Sequence, residues 1–429
     1  TTTVNITYLV GSRHENYGET GMAHLLEHMV FKSTTSRSNI FEDLGKRGMD
    51  FNGTTSYDRT NYYETFPANA ENLKWALEME ADRMVNCLIT RKDLDTEFSV
   101  VRNEMESGEN SPIRTLWQRM TAAAFDWHNY GKSTIGARSD VENVKIENLQ
   151  NFYRKYYQPD NAVLLVAGKF DPTSTLEQIQ KAFGGIAKPT RVLEPTYTQD
   201  PVQDGEREVT IRRTGDTQIS AVFYHTPRGS HEDSGAVAAL SEVLASTPNG
   251  RLHKNLVEKK LAVSIMNLNM GLAEGGYVLF FAELNKTQSL QQARLALLQE
   301  LEGLREKPVT EEELKRAKDS LLSEIDSIIN DPQQLAVQLS ESIAKGDWRL
   351  FFLQRDRIEN LKLADLQSAG LNYFKESNRT LGQFIPTATP DRIKMPEAVD
   401  VAKLVADYKG KAAASEGEVF DISPANIEK

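Results

Sequence analysis

His24-Leu25-Leu26-Glu27-His28 brings two imidazoles four residues apart, with a carboxylate between them. On an α-helix, positions i and i+4 lie on one face, one turn apart. Two neutral imidazole nitrogens there can hold one metal ion from the same side, and this is a donor type that zinc takes. Glu27 stands three residues after the first histidine and one before the second, so it points the same way and can accept a proton from an activated water. The order H-x-x-E-H carries the parts of H-E-x-x-H in the opposite chain direction. With seven histidines in 429 residues, a chance occurrence has a probability on the order of one in a hundred. The plain alternative is a solvated helix with polar residues at helical spacing. Leu25, Leu26, Met29 and Val30 argue against it, because unpartnered imidazoles on a largely apolar helix are costly.

A catalytic zinc takes three protein ligands and leaves one position open. The spacing predicts a helix over residues 90–108, opened by Thr90-x-x-Asp93. It carries Glu97 and Glu104 on one face beside Phe98, Val101 and Met105, with Glu106 and Glu109 off that face. A carboxylate on an inward stripe needs a partner such as a metal or a histidine N–H. Spacing alone leaves both Glu97 and Glu104 as candidates, against the alternative of a solvated acidic face.

The elements that must position these groups follow from periodicity. Residues 3–10 alternate as a strand, 11–21 form a polar loop, and the motif helix runs over 21–31. A short helix over 38–48 precedes a strand stretch over 50–66, in which Asn52-Gly53 reads as a turn or bulge. A helix over 69–87 and a strand over 163–167 complete the first set. The polar, proline-bearing stretch 188–208 reads as a linker. Beyond it the pattern recurs: strand 217–225, helix 235–245, strands 262–270 and 276–284, and helices 287–305 and 310–328, the last opened by the capping box Thr310-x-x-Glu313. Setting Gly21 on Gly235 aligns Leu26, Met29 and Val30 with Leu240, Val243 and Leu244. It places Ala238, Ser241 and Glu242 opposite His24, Glu27 and His28. Ile89-Thr90-x-x-Asp93-Leu94 likewise parallels Val309-Thr310-x-x-Glu313-Leu314.

The expected fold is therefore α+β, with two homologous halves, each a mostly antiparallel sheet covered by helices on one side. Residues 1–188 form the zinc-binding catalytic half, 189–208 the linker and 209–386 a related half without metal donors, followed by a C-terminal extension over 387–429. A net charge of −11 argues against nucleic acid and against an anionic membrane surface. The single cysteine, Cys87, rules out an intramolecular disulfide framework and a thiolate-rich zinc site. No apolar run is long enough to span a membrane. The chain opens inside a strand, as it would after loss of a leader, and a periplasmic location is expected, with the cytoplasm as the alternative.

H-x-x-E-H followed by Glu104, 76 residues after His28, resembles the pitrilysin/insulinase family of inverzincin metallopeptidases, in the single-module branch related to mitochondrial processing peptidase. The likeness runs from residue 3 to about 385. It includes Asn52-Gly53-Thr54-Thr55-Ser56-Tyr57-Asp58-Arg59-Thr60, Tyr130-Gly131 to Ile135-Gly136, and Tyr157-x-Pro159-x-Asn161-Ala162. The resemblance implies a zinc metalloendopeptidase acting on peptides or unfolded segments, with one Zn2+ per chain. It makes His24, His28 and Glu104 the ligands, Glu27 the general base, and Glu97 the accessory carboxylate behind them. It also implies that substrate adds as a β-strand beside Asn52, Gly53 and Thr54, with Gly53 standing where the family has Ala.

Many members use an Arg and a Tyr, in a segment like Leu-Arg-Glu-Lys-x-Gly-Leu-Ala-Tyr-Ser, to bind substrate and steady the oxyanion. The matching segment here is Leu256-Val257-Glu258-Lys259-Lys260-Leu261-Ala262-Val263-Ser264, with Val257 and Val263 at those places and one residue fewer between them. Valine donates no hydrogen bond, and losing one oxyanion donor costs roughly 10²–10³ in rate. The expectation is the zinc-bearing subunit of a heterodimer whose homologous second chain supplies the Arg/Tyr pair, with a homodimer as the second possibility. The alternatives are a non-catalytic scaffold and a peptide-binding subunit of the same fold.

Overall fold

Alternation along Thr2–Tyr8 sends Val4, Ile6 and Tyr8 to one face of a strand and Thr3, Asn5 and Thr7 to the other. In the computed structural model of the protein both faces are buried. The structure describes residues 1–411, 417 and 421–428. In chain order the first elements are β1 (Thr2–Tyr8), α1 (Met22–Met29), α2 (Ile40–Lys46), β2 (Asp50–Thr55), β3 (Thr60–Phe66), α3 (Ala70–Asn86), α4 (Arg91–Glu109), α5 (Pro112–Ala124), α6 (Arg138–Glu142), α7 (Ile146–Tyr156), β4 (Ala162–Gly168) and α8 (Pro172–Phe183). They are followed by β5 (Arg207–Arg213), β6 (Thr217–Thr226), α9 (Ser234–Ala245), β7 (Ser264–Gly271), β8 (Gly276–Asn285), α10 (Leu290–Glu302), α11 (Glu311–Ile329), α12 (Pro332–Ala344), α13 (Leu350–Asn360), α14 (Leu363–Tyr373) and β9 (Arg379–Pro386). Two sheets result, in the orders β2-β3-β1-β4 and β5-β9-β6-β8-β7. Every pairing is antiparallel except β5 with β9. This is the expected α+β architecture of helix-covered, mostly antiparallel sheets.

The cover, expected on one side, is two-sided, because each sheet also receives a helix from beyond its own run of elements. Val4, Ile6 and Tyr8 pack on apolar residues of α1, α2, α3 and α7. The opposite face is polar: Asn61 donates to Asn5 at 2.6 Å, Asn5 donates to Thr7 at 3.0 Å, and Thr3 meets Thr65 at 2.8 Å. Helix α12 lies across this face, against β1, β3 and β4. The second sheet mirrors the arrangement. Val222, Tyr224, Val278, Phe280 and Leu381 pack on α9, α10, α11 and α14. Leu116, Met120 and Ala124 of α5 pack on Ile219, Ala221, Phe223 and Phe384 from the other side. Gly382 admits Met120, whose Sδ would stand 2.2 Å from any Cβ there.

Helices α5 and α12 are thus exchanged between the sheets, and their local signals match. Thr90 and Thr310 cap α4 and α11, Asn110 and Asn330 close them, and Ser111 and Asp331 cap the next helices with Pro112 and Pro332 in the first turn.

One local expectation fails. Residues 50–66 form a hairpin whose connection is 56–59, and Asn52 and Gly53 sit inside β2, paired with Tyr63 and Tyr62. The connection is pinned through Asp58, which is 4% exposed. Asp58 accepts from Arg13 Nε at 2.6 Å, Tyr130 Oη at 2.8 Å and the Ala273 amide at 2.9 Å. No regular element occupies 184–206. Residues Thr1–Ala388 form one compact unit and Thr389–Lys429 another, the latter with short helices at Val401–Val405 and Pro424–Ile427. Residues 412–416, 418–420 and 429 of the expected extension lie outside the described residues.

Removing a carboxylate that serves three donors leaves them buried without an acceptor. Asp58→Ala is expected to lower stability by about 3 kcal/mol, read from urea denaturation at pH 7. A loss below about 1 kcal/mol would show that the hairpin connection is held by other contacts.

Candidate metal centre

Helix α1 begins at Gly21, whose φ of 90° lies in the left-handed region. Glycine carries no capping side chain, and Glu15 fills that role from the preceding loop. Its buried carboxyl accepts from the Gly21 and Ala23 amides at 2.9 and 2.8 Å, which satisfies two free donors of the helix N-terminus, while burial pushes the group up to about 8 against those two contacts. Leu25, Leu26 and Met29 bury the opposite face. His24 and His28 then project one turn apart, with ring centroids separated by 4.9 Å.

Helix α4 crosses beside α1 and delivers Glu97 and Glu104. Glu104 Oε2 lies 3.5 Å from His24 Nε2 and 3.7 Å from His28 Nε2. One donor atom from each of His24, His28 and Glu104 falls within 4.8 Å of the others. Glu97 Oε2 lies 3.2 Å from His28 Nδ1, and its other oxygen pairs with Lys32 Nζ. With Nδ1 engaged by a carboxylate, His28 keeps the Nε2 lone pair facing Glu104. Burial holds His24 down at about 4, so it is a neutral imidazole with a free lone pair at pH 7. Its Nδ1 is buried with no hydrogen-bond partner among the described residues. Two imidazole nitrogens and one carboxylate oxygen form a donor set that suits a catalytic zinc.

Glu27 faces a cavity of about 470 Å³, whose lining includes His24, Gly53, Thr54, Glu104, Trp117 and Gln118. Thr55 donates to Glu27 Oε2 at 2.6 Å. Burial raises the Glu27 carboxyl above its usual range, opposed by the Thr55 hydroxyl, His28 and Arg59. Strand β2 comes unusually close here. A Cβ on Gly53 would stand 2.9 Å from Glu27 Cγ and 3.0 Å from Phe31 Cε2, so the glycine serves close packing rather than a turn.

Of the three residues assigned to substrate, Gly53 and Thr54 line the cavity. Asn52 points to the exposed outer side, where it accepts from its neighbour's amide. Strand β2 is one of the two edges of its sheet, β4 being the other. Val257 and Val263 are absent from the cavity wall, whose described residues all lie between His24 and Ile135. Sequence reasoning missed Thr55, Lys32, Trp117 and Gln118. Lys32 carried a signal, standing four residues after His28, and Thr55 alternates with Gly53 along β2.

The family Insulinase (Peptidase family M16) matches residues 1–138, and Peptidase M16 inactive domain matches residues 143–321. A zinc protease PqqE of Helicobacter pylori is 31% identical over 386 residues, covering 88% of this chain and 86% of that protein. A probable mitochondrial-processing peptidase subunit beta of Arabidopsis thaliana is 25% identical over 338 residues, 76% of this chain and 63% of that one. The crystal structure of a protease from Helicobacter pylori superposes with a TM-score of 0.85 at 29% identity, covering 90% of this chain and 94% of that chain.

Burial holds His14 and His24 each at about 4, against about 6.5 in the unfolded chain. Between those values the unfolded state binds more protons, so the stability these groups contribute is present above pH 6.5 and is lost as pH falls toward 4. The melting temperature of the metal-free protein is expected to fall more steeply across that window than that of His24→Gln, since the buried Glu15 carboxyl, raised to about 8, acts in the opposite direction in both. Parallel melting curves for the two proteins would overturn this assignment.

Proposed function

The chain belongs to the insulinase family of peptidases, M16, and from that premise we propose that it is a zinc metalloendopeptidase cutting peptides or unfolded segments. One observation carries the reading: donor atoms of His24, His28 and Glu104 converge within 4.8 Å, with Glu27 on the wall of the same cavity. Zinc held there by those three residues, one ion per chain, would polarise a peptide carbonyl and lower the pKa of a water toward neutrality. Glu27 takes the proton of that water and returns it to the leaving amine. Burial raises its carboxyl in the metal-free protein, and Thr55 holds one oxygen in place. Glu97 orients His28 through Nδ1. Substrate adds to the β2 edge beside Gly53 and Thr54, with Asn52 on the outer side.

In this reading residues 1–188 are the catalytic half, 209–386 a related half joined through 189–208, and 387–429 an extension. A homologous partner chain supplies the Arg and Tyr that Val257 and Val263 cannot replace, in a heterodimer or, secondarily, a homodimer. A cavity wall whose described residues all lie between His24 and Ile135, with no counterpart of the Arg and Tyr among them, favours one second reading, a non-catalytic subunit that holds peptides without cutting them or serves as a scaffold. We assign the protein to the periplasm. None of the described helices is long and apolar enough to cross a membrane, and recovery with cytoplasmic marker enzymes on cell fractionation would overturn the assignment.

The purified, zinc-loaded chain is expected to cleave a quenched peptide library slowly and to gain about 10²–10³-fold with its partner chain. Full activity alone would remove the need for a partner, and no cleavage with or without it would favour the binding reading. Glu27→Gln is expected to keep zinc and lose about 10²–10⁴-fold in rate, whereas an unchanged rate would refute the base. Glu104→Gln is expected to lower the zinc-to-protein ratio, and an unchanged ratio would place the third ligand elsewhere.

A further inference from the structure

We propose that Lys32 is a positioning residue of the metal centre, its ammonium holding one oxygen of Glu97 so that the other oxygen fixes the ring of His28. The inference rests on the metal-site reading above. Glu97 is 7% exposed and uses both oxygens, Oε2 on His28 Nδ1 at 3.2 Å and Oε1 on Lys32 Nζ. Accepting from two different donors determines the rotation of the carboxylate, which a single contact would leave free. Through it, Nδ1 of His28 carries the proton, and Nε2 keeps its lone pair toward Glu104.

Charge leads to the same residue. Glu27, Glu97 and Glu104 gather three carboxyl groups around two imidazoles. Among the described residues, Lys32 is the one lysine or arginine whose nitrogen pairs with any of the three. Arg59, the nearby cation that also acts on Glu27, spends its contacts on Thr54, Asn61 and Glu341.

The backbone holds Lys32 for this task. It lies past the end of α1, where its amide donates to the Met29 carbonyl at 3.1 Å and its carbonyl accepts from Ile40, the first residue of α2, at 2.8 Å. A cation at the C-terminal end of α1 is also favoured by the helix dipole. Four residues after His28, the side chain projects toward the α4 side, where Glu97 waits. Without the ammonium, Oε1 would be left unpaired in a nearly buried position. Glu97 would then turn outward, and His28 would lose the acceptor that sets its tautomer.

The test is zinc affinity of the full chain, measured by competition with a chromophoric chelator. Lys32→Met keeps the length of the stem and removes the charge. It is expected to weaken zinc binding by about 10-fold, the low end for loss of a partner behind a metal ligand. Lys32→Arg is expected to stay within about 3-fold of the parent. Adding Lys32→Met to Glu97→Gln is expected to bring no further loss, since the pair is already broken. If Lys32→Met does not fold, Lys32→Gln is read in its place. Parent affinity in the charge-removing variant, or its full loss repeated in the Glu97→Gln background, would overturn the role of Lys32 while leaving the metal site standing. A parent chain that binds no zinc would overturn the metal-site reading itself.

Discussion

Helix α1 is eight residues long, too short to persist in water on its own propensity, and the candidate chemistry depends on the contacts that hold it. Glu15 caps its N-terminus, Leu25, Leu26 and Met29 anchor its inner face, and Gly53 lets β2 approach its outer side. The two imidazoles and Glu27 are thereby fixed against α4 and β2 together. A side chain at residue 53 or a lost cap would move all three groups at once, because they share one rigid turn.

Gathering three glutamates around two histidines concentrates like charge in a poorly solvated place, which is costly unless each oxygen has a partner. The partners come from different elements: Thr55 from β2, Lys32 from the turn after α1, and the histidines themselves. A second buried charge cluster lies behind the site. Arg83 pairs with Glu80 and stands 4.5 Å over the ring of Tyr62 and 5.2 Å over Phe31. Burial raises the carboxyls of Glu64 and Glu80, so this cluster includes a carboxyl held toward its neutral form. Phe31 therefore touches charge on one side and the Glu27–Gly53 contact on the other.

The exchange of α5 and α12 ties the two sheets into one body. Helix α5 offers Trp117 and Gln118 to the cavity and Leu116, Met120 and Ala124 to the second sheet. The wall opposite Glu27 is therefore positioned by the second sheet, although no described residue of that sheet reaches the cavity. Trp117 makes the link explicit, its indole N–H donating to Tyr277 Oη at 3.1 Å.

Much of the candidate site was legible because it is local. A spacing of three and four residues determines that His24, Glu27 and His28 share a helix face, and Thr90 and Thr310 announce the helices they cap. Local periodicity could not say which of Glu97 and Glu104 meets the Nε2 atoms. Both lie on one face of α4, and only its crossing with α1 decides. Nor could it see that Asn52-Gly53, a turn signal in isolation, lies within a strand because another element presses against the glycine. Thr3, Asn5 and Thr7 alternate like a solvent-facing row, yet α12 buries them. Sequence by itself determined the H-x-x-E-H face, the helices opened by Thr90 and Thr310, and the alternating strands over 3–10 and 217–225, since these depend on neighbours within a turn or two. Tertiary structure alone decided the pairing of Glu97 with Lys32, the approach at Gly53 and the exchange of helices, since these depend on packing between residues far apart in the chain.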